Sequence, residues 1–230
     1  MLLSGEEVIA SIRQQTDTIL LAFSCGKDSI ATWLACRDSF QIVPYYMYLV
    51  PDLEFVEESV CYYERFFGCR IMRVPHPSLY RWVNEMVFQP PDRCAVIERH
   101  APEDFDYLDM QDTIRDFLGL SDHCYTASGV RAVDSPLRMT ALKKWGAISH
   151  TRRQFFPVWD WRKDRLISAI TEAGCKLPRD YELFGRSFDG LDYRFLKPIR
   201  DHLPRDYARI LEWFPLAEAE LKRREYAEQF

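Results

Sequence analysis

LLAFSCGKDSIATWLAC, residues 20–36, joins two patterns at one point. TILLAFS, residues 18–24, is an apolar run of strand length, as a parallel strand buried on both faces requires. Ile30, Ala31, Trp33, Leu34 and Ala35 then take up helical spacing. Between the two patterns stand Ser24, Cys25, Gly26, Lys27, Asp28 and Ser29. A strand that passes straight into a helix presents unpaired N–H groups and positive partial charge at its carboxyl end, which suits an anion. Gly26 permits close backbone approach or a positive φ. Lys27 supplies a point charge, and Ser24 and Ser29 supply hydroxyl donors. Asp28 either caps the helix or holds a metal bound to phosphate.

The same alternation continues outward. IVPYYMYLV (42–50) reads as a second strand, residues 55–67 as a helix with Val56, Val60, Tyr63 and Phe67 on one stripe, and CRIMRVP (69–75) as a third strand. Strand–helix–strand–helix–strand predicts an open, mostly parallel, twisted α/β sheet with right-handed crossovers and helices on both faces. Residues 76–121 break this pattern at Pro90-Pro91 and carry a run of acids, which predicts a helical insertion. DHCYTASGV (122–130) restores a strand ending at glycine. SPLRMTALKKWG (135–146) is a helix, QFFPVWDW (154–161) a short extended piece and WRKDRLISAITEAG (161–174) a helix stopped by Gly174. The expected organisation is an α/β domain over residues 1–175 with the insertion around 76–121. A polar loop and a helical C-terminal extension follow over 176–230, with PRDYARILEWF (204–214) helical.

The turn can be compared with known phosphate loops. A Walker A loop needs a first glycine where Leu21 stands and a Ser or Thr where Asp28 follows the lysine, and a dinucleotide fingerprint needs three spaced glycines. The sequence instead resembles the PP-loop signature S-G-G-K-D-S of the ATP pyrophosphatase superfamily, through Ser24, Gly26, Lys27, Asp28 and Ser29, with Cys25 in place of the first glycine. Three further segments resemble the phosphoadenylylsulfate (PAPS) reductase branch. Residues 50–57, VPDLEFVE, are a degraded copy of its D-T-G-x-x-[FY]-P-E. Residues 127–142, ASGVRAVDSPLRMTAL, supply Gly129, Arg131, Asp134, Ser135 and Arg138 of its G-x-R-x-x-[ED]-S-x-x-R. Residues 155–170, FFPVWDWRKDRLISAI, resemble its P-[IL]-x-D-W segment through Pro157, Asp160 and Trp161, although Arg165 stands where an acid is usual.

The resemblance implies a HUP-type, adenine nucleotide α-hydrolase-like fold and a site for ATP or a related adenine nucleotide, with Mg²⁺. The nucleotide-binding residues it implies are Ser24, Gly26, Lys27, Asp28, Ser29, Gly129, Arg131 and Arg138. Arginine suits bidentate oxyanion contact. Asp52 and Glu54, after the second strand, are candidates for ribose, adenine or metal contact. Arg152, with Arg153, is a candidate to close over the ligand. Asp28 is the candidate metal contact, through Mg²⁺, and Lys27 the candidate catalytic group.

One element of the branch is missing. The C-terminus LKRREYAEQF has no cysteine where the reductases carry the nucleophile of E-C-G-L-H, and the paired cysteines of the related iron–sulfur reductases are absent, so no cluster is expected. Three functions stay open. One is an enzyme that cleaves ATP between the α and β phosphates and adenylates a substrate, with or without sulfur transfer. The second is a sulfonucleotide reductase with a displaced nucleophile. The third is a non-catalytic nucleotide sensor or a subunit of a nucleic-acid modification complex. Cys25 is the candidate displaced nucleophile, because a thiol beside a lysine at a helix N-terminus favours thiolate. The alternative is a small residue standing in for glycine.

Composition bounds the rest. The chain has 230 residues, a formal net charge of -5 and 47% hydrophobic residues, enough for a sizeable core but without the basic excess of a general nucleic-acid binder. No apolar run approaches membrane length and MLLSGEEVIASIRQQ lacks a signal-peptide pattern, so a cytoplasmic protein without membrane contact is expected. The seven cysteines are widely spaced and form no C-x-x-C pair, against a disulfide framework. Cys94 with His100, and His123 with Cys124, are lesser metal or redox candidates, and Arg186, Ser187 and Asp189 are a polar group in a segment suited to a protein partner. A homodimer or other protein partner, and a nucleic-acid partner, stay open.

Overall fold

The structure is a computed structural model that describes residues 2–100 and 102–227. Its elements begin with α1 (Gly5–Arg13), β1 (Thr18–Ala22), α2 (Lys27–Cys36), β2 (Gln41–Tyr48), α3 (Glu54–Phe67) and β3 (Met72–Pro75). Three helices follow, α4 (Pro77–Asn84), α5 (Pro91–His100) and α6 (Tyr107–Leu118). Then come β4 (Thr126–Ala127), a 3₁₀ turn (Ala132–Asp134), α7 (Pro136–Trp145), β5 (Ile148–Ser149), β6 (Gln154–Phe155) and α8 (Lys163–Glu172). The chain ends in α9 (Arg179–Phe184), α10 (Tyr193–His202), α11 (Pro204–Trp213) and α12 (Ala217–Ala227).

The six strands lie in the order β3-β2-β1-β4-β6-β5. β1 is parallel to both β2 and β4, and β4 to β6; β5 is the antiparallel edge. This is the mostly parallel α/β sheet expected. From β1 the order runs one way to β2 and β3 and the other way to β4 and β6. The carboxyl ends of β1 and β4 therefore flank the switch point where open sheets leave a crevice.

The chain divides into two compact units interleaved in sequence. The first comprises Met1–Tyr46, Glu64–Met72 and Tyr107–Leu177, the second Met47–Tyr63, Arg73–Asp106 and Pro178–Phe230. In the first unit Ile19, Leu20 and Leu21 of β1 are fully buried, each worth roughly 1.5–3 kcal/mol relative to exposure. α2 packs its Trp33 flat on Phe67, with centroids 4.2 Å apart, and Phe67 meets Phe23 edge-on at 5.0 Å. α8 packs on α2 through the same unit, with Leu166 fully buried. Gly5 is held so closely under Pro157 that a Cβ there would lie 2.1 Å from the Pro157 carbonyl oxygen, and its N–H donates to Asp160 at 3.1 Å. In the second unit Phe55 meets Phe184 and Phe188 edge-on, and both meet Phe195 likewise.

Several expected elements are corrected. The fourth strand is only Thr126–Ala127, and QFFPVWDW contributes only Gln154–Phe155 before turning. Residues 179–202 are not a polar loop: α9 and α10 lie there, α10 started by the Asp192 carboxylate accepting from Arg194 N–H at 2.9 Å. Pro198 inside α10 and the glycines at 185 and 190 masked the helical pattern. No helix among the described residues is long and apolar enough to cross a membrane.

Candidate functional site

The turn between β1 and α2 carries a helix N-terminus with glycine as its N-cap. Gly26 is the N-cap of α2, in extended conformation, and as glycine contributes no capping side chain. The start of a ten-residue helix, with its first-turn donors and positive partial charge, thus follows directly on the turn after β1. Cys25, just before, has φ 58°, the left-handed region that glycine adopts freely and other residues adopt at a cost of about 1–2 kcal/mol. Its side chain is 3% exposed.

The two serines build the turn from within. Ser29 Oγ donates to the Gly26 carbonyl at 2.8 Å and accepts from the Ser24 N–H at 3.2 Å, while the Ser24 hydroxyl lies 3.4 Å from it. Ser29 therefore clamps both ends of the loop.

The charged residues form a relay. Asp28 faces Lys27 Nζ at 2.8 Å through one oxygen and Arg131 Nε at 2.7 Å through the other. Arg131, 4% exposed, also contacts Asp134 at 2.7 Å and donates to the Trp161 carbonyl at 3.5 Å. Arg138, on α7, reaches the other Asp134 oxygen at 2.9 Å. Three cations thus share two carboxylates, which leaves the cluster one positive charge in excess. Such a cluster can accept an anion by re-pairing rather than by desolvating an isolated charge.

Gly129 closes the arrangement. A Cβ at that position would lie 2.8 Å from both the carbonyl carbon and oxygen of Asp28, so only glycine lets the chain after β4 press against the start of α2. The structure therefore brings Ser24, Cys25, Gly26, Lys27, Asp28, Ser29, Gly129, Arg131 and Arg138 together around the switch point.

Other candidates lie elsewhere. Arg152 precedes β6, which runs parallel to β4 and β1, so it stands at the amino edge of the sheet, opposite the turn. It is exposed, and its N–H donates to Ser149 Oγ at 3.4 Å. Arg153 is paired with Asp112. Asp52 and Glu54 belong to the second unit, where Asp52 lies 3.8 Å from Arg209 and Glu54 3.4 Å from Arg205. The backbone N–H of Glu54 donates to the Asp206 carboxylate, which caps α3. Cys124 is 1% exposed, and burial raises its thiol pKa, which leaves it unreactive. Cys94 Sγ contacts the Gln89 carbonyl at 3.6 Å, and no group of three or more potential metal ligands occurs among the described residues. Arg186 pairs with exposed Asp189.

Two features escaped the sequence. Asp28 stands between two cations rather than capping the helix, and Trp161 serves through its carbonyl. No local pattern signals either, because both depend on what the chain after β4 brings alongside.

No family model matches the chain, and no curated protein matches it. Among solved structures it is similar to the U34-tRNA thiolase NcsA from Methanococcus maripaludis with its [4Fe-4S] cluster, at 12% identity and TM-score 0.47, over 93% of this chain and 80% of that one. It is also similar to the NH3-dependent NAD synthetase from Campylobacter jejuni in complex with nitrate, at 10% identity and TM-score 0.48, over 96% of this chain and 93% of that one.

Proposed function

We propose that the chain is a PP-loop enzyme that binds ATP at the β1–α2 turn, cleaves it between the α and β phosphates and adenylates a substrate. The observation that carries this reading is the glycine-capped N-terminus of α2 beside a net-positive Lys27–Asp28–Arg131–Asp134–Arg138 cluster, in the sequence context Ser24-Cys25-Gly26-Lys27-Asp28-Ser29. The N–H groups of the first turn bind phosphate oxygens, and Lys27 stabilises the charge that develops on the departing pyrophosphate. Arg131 and Arg138 orient the remaining phosphate by exchanging carboxylate partners for phosphate oxygens.

Both Asp28 oxygens already face cations, so Asp28 could give a magnesium ion at most one ligand, and the ion would be held chiefly by the phosphates that carry it in. The chemistry such an ion would supply is neutralisation of phosphate charge.

The branch-specific resemblance, through Gly129, Arg131, Asp134 and Arg138, supports a PAPS-reductase-like subgroup, and sulfur transfer after adenylation is compatible with it. Sulfonucleotide reduction through Cys25 has no comparable support: the left-handed backbone at Cys25 accounts for a residue at a glycine position without any thiol chemistry.

Pyrophosphate release from ATP with Mg²⁺ tests the proposal directly. Lys27→Ala is expected to slow it roughly 100-fold. A thermal-shift panel of ATP, adenylylsulfate, phosphoadenylylsulfate and adenosine bisphosphate checks binding independently. A folded protein that shifts with none of the four overturns the nucleotide site; binding without pyrophosphate release overturns the enzymatic reading and leaves a sensor.

A further inference from the structure

The second unit contains a pocket of about 440 Å³, within the roughly 300–1,000 Å³ range of small-molecule sites. Its walls are unusual in kind. Tyr48 ends β2, Tyr80 lies on α4 and Trp213 ends α11. Pro51, Pro75 and Pro102 line the pocket as well. Aromatic rings and prolines present flat, rigid, apolar faces at little conformational cost.

The walls are braced from behind. Tyr80 meets Phe105 edge-on, with centroids 4.8 Å apart. The Trp213 carbonyl accepts from Gln89 Nε2 at 2.8 Å, and the neighbouring Glu212 carbonyl accepts from Arg93 at 2.7 Å. The Tyr48 carbonyl accepts from the His76 N–H at 2.9 Å, which fixes the ends of β2 and β3 together. A site whose walls are already held loses little freedom on binding.

The charge pattern narrows the ligand. Among the described residues no lysine or arginine lines the pocket, so they offer no cation to a phosphate or carboxylate. The Tyr48 phenol is a protonated hydrogen-bond donor at neutral pH, as tyrosine ordinarily is, and burial, with Tyr80 and Asp52 nearby, raises its pKa further. The lining therefore favours a flat apolar body with a polar edge.

We propose that this pocket binds an uncharged planar heteroaromatic ring of nucleobase size, belonging to a molecule other than the ATP of the β1–α2 turn. The inference goes beyond the adenylation reading and does not depend on it. Stacking on two phenols and an indole supplies the affinity, since each base–aromatic contact is worth about 1–3 kcal/mol. The Tyr48 and Tyr80 hydroxyls supply the edge contacts.

The test is calorimetric titration of the full chain with adenosine and with uridine, which carry no phosphate, with and without saturating α,β-methylene-ATP. Saturable binding of at least one nucleoside is expected, undiminished by the ATP analogue. Trp213→Ala, at a partly exposed helix end, should weaken it roughly tenfold. Val83→Trp, which fills the pocket, should abolish it. Near-UV circular dichroism verifies folding of both variants, and an unchanged ATP thermal shift separates this site from the β1–α2 turn. The proposal is overturned by absence of saturable binding to the folded wild type. Binding that the ATP analogue displaces, or that survives in both variants, overturns it as well. If the nucleoside binds and ATP does not, the pocket stands and the adenylation reading falls.

Discussion

Cys25 shows how one dihedral angle decides between two chemical readings. Its φ of 58° is the conformation for which glycine is the default, so the residue occupies a glycine position of the loop. Replacing it by glycine relieves about 1–2 kcal/mol of backbone strain, but increases the freedom of the unfolded chain and removes a buried side chain. Cys25→Gly is therefore expected to lie within about 1 kcal/mol of the wild type in denaturant unfolding, and to retain pyrophosphate release. Loss of activity in folded Cys25→Gly and Cys25→Ala proteins would show the thiol to be chemically required. Gly129 makes the opposite demand. A Cβ 2.8 Å from the Asp28 backbone has no flexible neighbour to displace, so Gly129→Ala is expected to cost about 1–3 kcal/mol and to impair nucleotide binding, measured by thermal shift. Arg131 is buried between two carboxylates that retain some solvent contact. Arg131→Ala should then destabilise by about 3 kcal/mol, the lower end for a broken buried pair. The loop residues were legible because each acts through local backbone chemistry. The role of Asp28 was not, because its partner Arg131 lies far along the chain.

Among the secondary elements, α4 carries a pH-sensitive cap. His76 Nδ1 accepts from the Ser78 N–H at 3.0 Å, which requires the neutral ring. Burial, helped by Arg81, lowers its pKa from 6.5 to about 4. A depressed histidine pKa means that the unfolded chain takes up a proton before the folded one does. The folded state is thus fully favoured by this group above about pH 6.5, and loses that contribution as pH falls toward 4. Unfolding midpoints measured between these pH values should fall less steeply in His76→Asn, which keeps a capping side chain without the titration. Equal slopes in the two proteins would remove His76 from the acid response. The central strands and α2 were readable from apolar runs and helical spacing. β4, β5 and β6 are two residues each, too short for periodicity to register, and only pairing with neighbours defines them. α9 and α10 were hidden because a six-residue helix and a proline-containing one lack a sustained stripe; Phe195 of α10 is buried against Phe184 and Phe188, and α10 packs on α9, α11 and α12.

For the whole molecule, the interleaving of the two units has a direct consequence. The chain passes between them after residues 46, 63, 72, 106 and 177, so residues 178–230 complete a core begun by residues 47–63 and 73–106. Phe55, fully buried, rests on Phe184 and Phe188, and Asp206 caps the helix that Phe55 occupies. Truncation after Leu177 should therefore expose that core rather than trim an appendage: increased dye binding and lost near-UV circular dichroism are expected, and a cooperatively unfolding fragment 1–177 would contradict it. The sequence by itself determined the parallel sheet, the strand-to-helix turn and the residues of that turn on which the proposed anion site rests. These follow from hydrophobic runs, glycine placement and helix-end electrostatics, all of which act over a few residues. Only the tertiary structure decided that Arg131 is tied to Asp28, that Arg152 lies on the opposite sheet edge, and that Tyr48, Tyr80 and Trp213 share one pocket. Those outcomes depend on strand order and on contacts between residues distant in the chain, which no local pattern encodes.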